Sequence, residues 1–349
     1  MEKVLVAMSG GVDSSTTATI LCEQGFEVVG ATLKLYEHPK ALGVISDIGL
    51  AQEIAVSLGI EHHVLDFRAP FAKEVINKFV NDYFEGKTPN PCVYCNRCIK
   101  FGKLLDFASS IDCDKLATGH YAKVEYDSVS ERYLLKKASD KHKDQSYVLY
   151  PLVQKQLSRL MFPMENMTKD RVRVLAKEKG LPNHQKPESQ DICFVKKMSY
   201  SEFIKSYSGK GSLPGKLVGT NGEELGTHNG IINYTIGQRK GLGASFGAPK
   251  YVVAKLAKEN VVVLGAESEL YSNSLVAGMT NFIPFDRLNS AMKVKAKVRY
   301  NQDPESAMIY PLEDCKVRVE FATKQRAVTP GQHVVFYEDE FVVGGGMIL

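Results

Sequence analysis

Ser9-Gly10-Gly11-Val12-Asp13-Ser14 sets two glycines, two hydroxyls and a carboxylate between an apolar run, residues 4–8, and a segment at 16–24 that Gly25 stops. The first reads as a buried strand and the second as a helix. A strand, a glycine turn and a helix N-terminus place backbone N–H groups at the positive end of a helix dipole, a geometry that binds phosphate. No Gly-Lys-Ser/Thr closes the loop, so it is not a Walker A sequence. Gly86-Lys87-Thr88 does not supply one either. It has Asn81 where the first glycine of such a loop belongs and runs into Pro89-Asn90-Pro91. The bland alternative is an ordinary glycine turn between strand and helix.

Thiol chemistry is the second candidate. The seven cysteines stand at 22, 92, 95, 98, 113, 193 and 315, an odd count that argues against a disulfide framework. Cys92-Val93-Tyr94-Cys95-Asn96-Arg97-Cys98 follows the rigid turn Thr88-Pro89-Asn90-Pro91, and a helix is expected to begin at Asn96-Arg97. A thiol near a helix N-terminus beside Arg97 should have a lowered pKa. Cys193 lies in a second polar segment, Glu188-Ser189-Gln190-Asp191-Ile192-Cys193-Phe194. If Cys95 and Cys193 meet in one cleft, they could pass sulfur by thiolate attack on a persulfide. The same spacing allows a metal or iron–sulfur site on Cys92, Cys95 and Cys98. Cys22, Cys113 and Cys315 read as small buried hydrophobes.

The elements that must position these groups follow from periodicity. Strands are expected at 4–8, 28–35, 63–67 and 115–118, with helices around 50–58, 70–84 and 99–109. That alternation is the mark of an α/β domain with a parallel sheet covered on both faces, which binds ligands beyond the carboxyl ends of its strands. A second glycine turn, Thr118-Gly119-His120-Tyr121, could reach the same crevice. Residues 121–126 and 132–138 look like a hairpin, followed by a basic patch at Lys136, Lys137, Lys141, His142 and Lys143. Thr168 and Gly180 bracket a helix, and Ser199 with Glu202 forms a capping box. Beyond about 197 the texture is glycine-rich and β. Residues 241–247 read as a loop, and from about 270 strands at 293–300, 316–321, 333–337 and 340–343 suggest a small barrel. The expected division is 1–197, 198–269 and 270–349.

The 349 residues are 44% apolar and 24% charged, ordinary for a globular protein, with a net charge of +4 that permits a nucleic-acid partner. No apolar run approaches the roughly 20 residues of a membrane helix, and no leader is evident, so a cytoplasmic location is expected.

The Ser9–Ser14 loop resembles the pyrophosphate loop of the ATP pyrophosphatases. Together with it occur, in order, Thr88-Pro89-Asn90-Pro91 leading to Cys95-Asn96, then Thr118-Gly119-His120-Tyr121, then Lys143-Asp144-Gln145-Ser146-Tyr147. Ser189-Gln190-Asp191-Ile192-Cys193-Phe194 and Tyr234-Thr235-Ile236-Gly237-Gln238-Arg239-Lys240-Gly241-Leu242-Gly243 complete the series. The whole chain is thereby similar to the tRNA 2-thiouridylases, the MnmA/TrmU family. The resemblance implies a pyrophosphatase domain, a small central domain and a C-terminal β-barrel. It implies replacement of O2 of uridine 34 by sulfur in the tRNAs for Lys, Glu and Gln, with ATP and Mg²⁺. A persulfide donor, either a relay protein or a cysteine desulfurase, is implied as a partner. Ala7, Met8, Ser9, Gly10, Gly11, Val12, Asp13 and Ser14 would hold ATP, with Leu33 and Gly119 beside the nucleotide. Cys95 would be the nucleophile and Cys193 the persulfide carrier. Asn90, Pro91 and Cys92 would frame the target base, and His120, Lys143, Asp144, Gln145, Arg299, Tyr300 and Gln332 would touch tRNA.

The chemistry is coherent. A uracil carbonyl is a poor electrophile, and adenylation turns its oxygen into a good leaving group while Mg²⁺ offsets phosphate charge. The base must also be splayed out of its loop. Residues 293–299 set Lys293, Lys295, Lys297 and Arg299 on one strand face, which suits phosphate contact. Two departures from the family stand out. Cys92 occupies a position where Asp is common, which favours an alternative in which Cys92, Cys95 and Cys193 ligate an iron–sulfur cluster. The segment after Lys34 lacks the usual Trp and acidic run. The rival readings are a cluster-dependent tRNA thiolase, a pyrophosphatase-loop amide or amidine synthetase, and a non-catalytic RNA-binding protein with structural zinc.

Overall fold

Apolar runs in the N-terminal part form strands β1 (Lys3–Ala7), β2 (Glu27–Lys34), β3 (Glu61–Asp66) and β4 (Lys115–Ala117) in the computed structural model. It describes residues 1–36, 47–187, 191–195, 198–243 and 246–349. A hairpin of β5 (Ala122–Asp127) and β6 (Arg132–Lys137) and the short β7 (Leu160–Met161) follow. The parallel sheet runs β3-β2-β1-β4-β7. Val4, Leu5 and Val6 are wholly buried, as a central parallel strand covered on both faces requires. The chain winds outward to opposite sides from β1, so the crevice between the carboxyl ends of β1 and β4 is the switch point where such sheets bind ligands.

The first helices are α1 (Val12–Glu23) and α2 (Asp47–Leu58). Helical runs at 68–84 and 91–110 are longer than expected. The second starts at Pro91 because Asn90 caps it, its side chain accepting from the Cys92 N–H at 3.1 Å, and because proline presets the first-turn φ. Cys92 and Cys95 therefore lie within helix rather than before it. From Cys95 to Lys103 the run is a π-helix, a rare form that is frequent at functional sites. The expected helix after Thr168 is Lys169–Glu178, capped as expected by the Thr168 hydroxyl. The Ser199–Glu202 capping box opens Tyr200–Ser208.

A central four-stranded sheet contains β8 (Gly215–Gly219), β9 (Glu224–His228), β10 (Tyr251–Leu256) and β11 (Val261–Gly265), in the order β10-β11-β8-β9. The C-terminal part holds β12 (Tyr271–Phe282), β13 (Met292–Lys297), β14 (Glu305–Leu312), β15 (Lys316–Arg326), β16 (His333–Glu338) and β17 (Phe341–Ile348). Pairing of β12 with both β15 and β17 closes these six into an antiparallel barrel. Sequence periodicity missed β12 and β14. Serines, Asn281 and Gly278 mask the apolar face of β12, and Pro311 interrupts that of β14. The hairpin β5–β6 joins the edge of the barrel sheet, Lys136 pairing with Phe341, instead of extending the parallel sheet that precedes it in the chain.

Gly119 shows how tightly the two turns at the switch point meet. A Cβ there would lie 2.8 Å from Asp13 C and 2.9 Å from Ser14 N, so only glycine fits without displacing backbone. Gly119→Ala should cost about 1–3 kcal/mol as an overpacked site. The urea midpoint should fall at unchanged m-value. A wild-type midpoint would show that the loop yields freely.

Candidate active site

The Ser9–Asp13 loop leaves β1 through Gly10, whose φ of +69° and proximity to the Asp47 carbonyl both exclude a side chain. Gly11 is the N-cap of α1 and offers no side-chain cap, so the first N–H groups of the helix remain available to an anion. Ser9 and Ser14 stiffen the turn: the Ser9 N–H donates to Ser14 Oγ at 3.1 Å, and Ser14 Oγ donates to the Gly11 carbonyl at 3.0 Å. Ala7 and Met8 end β1, the Met8 carbonyl accepting from Thr32 Oγ1 at 2.7 Å. Leu33 lies near the end of β2 and packs against two apolar clusters.

Later segments complete this loop; sequence reasoning brought the turn of Tyr121 to the crevice but assigned neither Lys169, Asn183 nor Lys186 to it. Lys169 Nζ reaches both carboxylate oxygens of Asp13, at 2.7 and 2.8 Å, and Tyr121 donates its hydroxyl to Asp13 Oδ1 at 2.8 Å. Asn183 Nδ2 donates to the Gly10 carbonyl at 3.2 Å and to Ser15 Oγ at 2.9 Å. Lys186 Nζ donates to the same carbonyl at 3.1 Å and to Asp47 Oδ1 at 2.6 Å. Two ammonium groups thus stand at a backbone anion cradle, which suits a nucleoside triphosphate. The only available signal was weak, since Lys169 opens a capped helix and Lys186 follows a polar turn. An open cleft of about 540 Å³ beside Lys169 is lined by Asp140, His142, Lys143, Asp170, Arg173 and Pro187. Lys143 of the expected basic patch therefore shares this cleft with Lys169. Lys136, by contrast, is paired with Glu125 and Glu340.

The thiols gather on the other side of the 91–110 run. Cys95 is 9% exposed and belongs to an apolar cluster with Phe71, Phe79, Ile99 and Phe194, against which Cys98 and Cys193 also pack. Cys95 and Cys193 are therefore brought together, close enough for Cys193 to act on the Cys95 thiol electrostatically. The expected thiol activation is not found in this conformation. Burial pushes the Cys95 thiol up to about 12, against a partial opposing effect of Lys100. Burial raises Cys92 and Cys98 as well, although Cys92 presents surface to solvent. Arg97 opposes burial only at Cys98, and the first turn of the helix precedes Cys95, so desolvation wins at each thiol. Cys113 is buried and Cys22 half-buried against core, as expected. Cys315 is instead exposed, in a turn at φ +52°, so it is no core residue.

Among the described residues no three His, Cys, Asp or Glu side chains converge to hold a metal ion. Cys92, Cys95 and Cys193 do not form a ready ligand set for an iron–sulfur cluster. Glu188, Ser189 and Gln190 and the segment 37–46, where the nucleotide-proximal departure was noted, lie outside the described residues.

Residues expected at the RNA are differently placed. His120 is 9% exposed, its Nδ1 2.7 Å from Thr118 Oγ1 and its ring against Phe101 and Phe162, and burial lowers its pKa well below the ordinary histidine value. Asp144 accepts from the N–H groups of Ala138 and Ser146, and Gln145 Oε1 accepts from the Tyr121 N–H. Both hold the loop that carries Lys143. Arg299 Nη2 donates to the Ala327 carbonyl at 2.8 Å, and Tyr300 is exposed beside it. Gln332 Nε2 donates to the Thr88 carbonyl at 2.8 Å, and the Thr88 N–H donates to Pro330, so the barrel fastens the turn that leads to Asn90, Pro91 and Cys92. The basic stripe is corrected at Lys297. It is 7% exposed, its Nζ within 6 Å of the ring centres of Tyr147, Tyr300 and Tyr337 and bonded to the Tyr300 carbonyl. Lys293 and Lys295 remain exposed. β13 ends at Lys297, so strict alternation does not extend to Arg299.

Three family models cover most of the chain. Residues 2–197 match a "tRNA methyl transferase HUP domain", 201–266 a "tRNA methyl transferase PRC-barrel domain" and 272–348 an "Aminomethyltransferase beta-barrel domain". Curated relatives carry a different activity in their names. "tRNA-specific 2-thiouridylase MnmA" of Acetivibrio thermocellus is 51% identical over 99% of both chains. Its namesake in Halothermothrix orenii is 50% identical over 100% of this chain and 99% of its own.

The burial of Cys95 sets its reactivity. Iodoacetamide alkylation of Cys95 in the free protein should still be climbing at pH 10, about tenfold per pH unit, because the thiolate fraction rises until the pH nears a pKa of about 12. A plateau near pH 7 would restore the activated-thiol expectation.

Proposed function

Because this chain belongs to the tRNA-specific 2-thiouridylase family, we propose that it uses ATP to replace an oxygen of tRNA uridine by sulfur. The observation that carries this reading is the coexistence of a backbone anion cradle, flanked by the ion-paired Lys169 and Lys186, with two thiols, Cys95 and Cys193, on one apolar cluster. The substrate in the finer reading is O2 of uridine 34 in the tRNAs for Lys, Glu and Gln, and ATP enters as its Mg²⁺ complex. Mg²⁺ is commonly held by substrate phosphates and only one or two carboxylates, and Asp13 is the carboxylate in the loop.

The loop N–H groups and Lys186 hold the β- and γ-phosphates, while Lys169 keeps the Asp13 carboxylate oriented. Uridine O2 attacks the α-phosphorus and pyrophosphate leaves, giving an O2-adenylate. Cys193 receives an outer sulfur from a persulfide donor protein. The Cys95 thiolate attacks Cys193 Sγ, the S–S bond breaks, and the outer sulfur departs with the electron pair as hydrosulfide. That sulfur adds to C2, AMP leaves with the former O2, and a Cys95–Cys193 disulfide remains. Burial makes the Cys95 thiolate scarce in the free protein, so this reading requires tRNA to open or recharge the site. Binding of the RNA would supply that change.

Mass spectrometry of nucleosides from tRNA incubated with enzyme, ATP, Mg²⁺ and a labelled sulfur donor tests the reading. 2-Thiouridine at position 34 with one AMP per event is expected. Cys193→Ser should carry no labelled persulfide, whereas Cys95→Ser should load Cys193 and stall. Label on Cys92 or Cys98 instead, or a requirement for bound iron, would overturn the assignment. The salt dependence of tRNA binding separates the barrel lysines. Lys295→Ala should lower the slope of log affinity against log salt by up to about 1. Lys297→Ala should leave that slope unchanged and lower the unfolding midpoint, because its ammonium sits among tyrosine rings. Equal slope changes in the two variants would place Lys297 on phosphate after all.

A further inference from the structure

Cys92 and Cys95 stand one helical turn apart at the head of the 91–110 run and face different surroundings. Cys92 is exposed, whereas Cys95 is buried in the cluster that Cys193 packs against from another segment. Side chains three positions apart on a helix have Cβ atoms about 5–6 Å from each other, and a disulfide needs about 3.5–4.5 Å. The run changes from α-helix to π-helix at Cys95 itself, so the two cysteines stand on either side of a break in the hydrogen-bond ladder. An outer cysteine that presents surface to solvent, beside an inner thiol that packs in the same cluster as a third cysteine, is the layout of a disulfide relay.

We propose that Cys92 is a further catalytic residue, the thiol that resolves the Cys95–Cys193 disulfide left by each sulfur transfer. This rests on the persulfide reading above. The Cys92 thiolate attacks Cys95 Sγ. The Cys92–Cys95 bond forms, the Cys95–Cys193 bond breaks, and Cys193 leaves with the electron pair as a thiolate. The proton lost by Cys92 is matched by the one Cys193 takes up. Cys193 is then free to accept another persulfide without waiting for a reductant to reach a bridge buried at Cys95. A dithiol from solution, small or carried by a protein, attacks Cys92 Sγ from the solvent-facing side of that residue and is itself oxidised to a disulfide. Both cysteines regain their thiols, so two electrons enter per thiouridine made, matching the reduction of the transferred sulfur. Cys98 lies a further turn along, half-buried, and has no part in the relay.

The test uses the full chain with tRNA, ATP, Mg²⁺ and inorganic polysulfide as sulfur source, without reductant, quenched by acid and alkylation and mapped by peptide mass spectrometry. Wild-type protein should end as a Cys92–Cys95 disulfide with Cys193 alkylated. Cys92→Ser should end as a Cys95–Cys193 disulfide, and with dithiothreitol present its sustained turnover should fall more than tenfold. Cys98→Ser should behave as wild type in both assays. Wild-type protein that makes thiouridine yet accumulates Cys95–Cys193 with Cys92 alkylated overturns the relay and leaves the persulfide reading standing. If wild-type protein loads no sulfur on Cys193, the persulfide reading itself fails and the relay with it. A measurement without tRNA adds a separate check. Equilibration of the resting protein with oxidised and reduced dithiothreitol should form Cys92–Cys95 before any other bridge, and formation of Cys95–Cys98 first would overturn the relay.

Discussion

The ion pair between Asp13 and Lys169 is the constraint on which the rest of the site depends. Asp13 stands in the first turn of α1, where its charge suits the helix dipole, but alone it would repel the phosphates that the same turn attracts. Lys169 comes from a helix more than 150 positions away and cancels that repulsion at 2.7 Å, in a position 7% exposed where charge is felt strongly. Removing Asp13 would leave the buried Lys169 ammonium without its counter-charge, a larger loss than the pair's net contribution to stability. Tyr121 brings the turn after β4 to the same carboxylate, so one side chain joins three segments at the switch point of the sheet.

A second set of contacts ties the sheet domain to the barrel. Tyr147 donates its hydroxyl to the His333 carbonyl, and Asn281 Nδ2 donates to the carbonyls of Tyr150 and Leu152. One apolar cluster runs from Leu5 and Leu116 of the parallel sheet to Val335, Tyr337 and Val342 of the barrel. The Thr88 turn is held between Pro330 and Gln332, so the position of Asn90, Pro91 and Cys92 follows the barrel's C-terminal strands. A partner that bears on the barrel can therefore act on the cysteine segment through hydrogen bonds rather than through a flexible link. Lys297, enclosed by Tyr147, Tyr300 and Tyr337, stands at the same junction.

The thiols show the opposite economy of placement. Burial that keeps Cys95 out of water also keeps it protonated, and the nearby Lys100 offsets this only in part. A thiol held neutral at rest is protected from oxidation, since it is the thiolate that reacts. The cluster that holds Cys95 also includes Ile204, Leu217 and Val262, so the central part contributes to the same core.

The amino-acid sequence by itself determined the features that local chemistry decides. The strand–glycine–helix order at residues 4–24, the capped helices after Thr168 and Ser199, the parallel alternation and the β-rich C-terminal part were all legible, because periodicity, caps and turns act over a few residues. The pairing of Cys95 with Cys193 was legible as a possibility of chemistry. Only the tertiary structure decided which charges meet. Lys169, Lys186 and Asn183 reach the loop because the chain folds back over 150 positions, a separation at which no spacing rule operates. It also decided the state of the thiols and of Lys297, since desolvation depends on everything packed around a group. A basic residue on an alternating strand looks solvated in sequence, and only Tyr147 and Tyr337 from two other segments, with Tyr300 three residues on, reveal that it is enclosed.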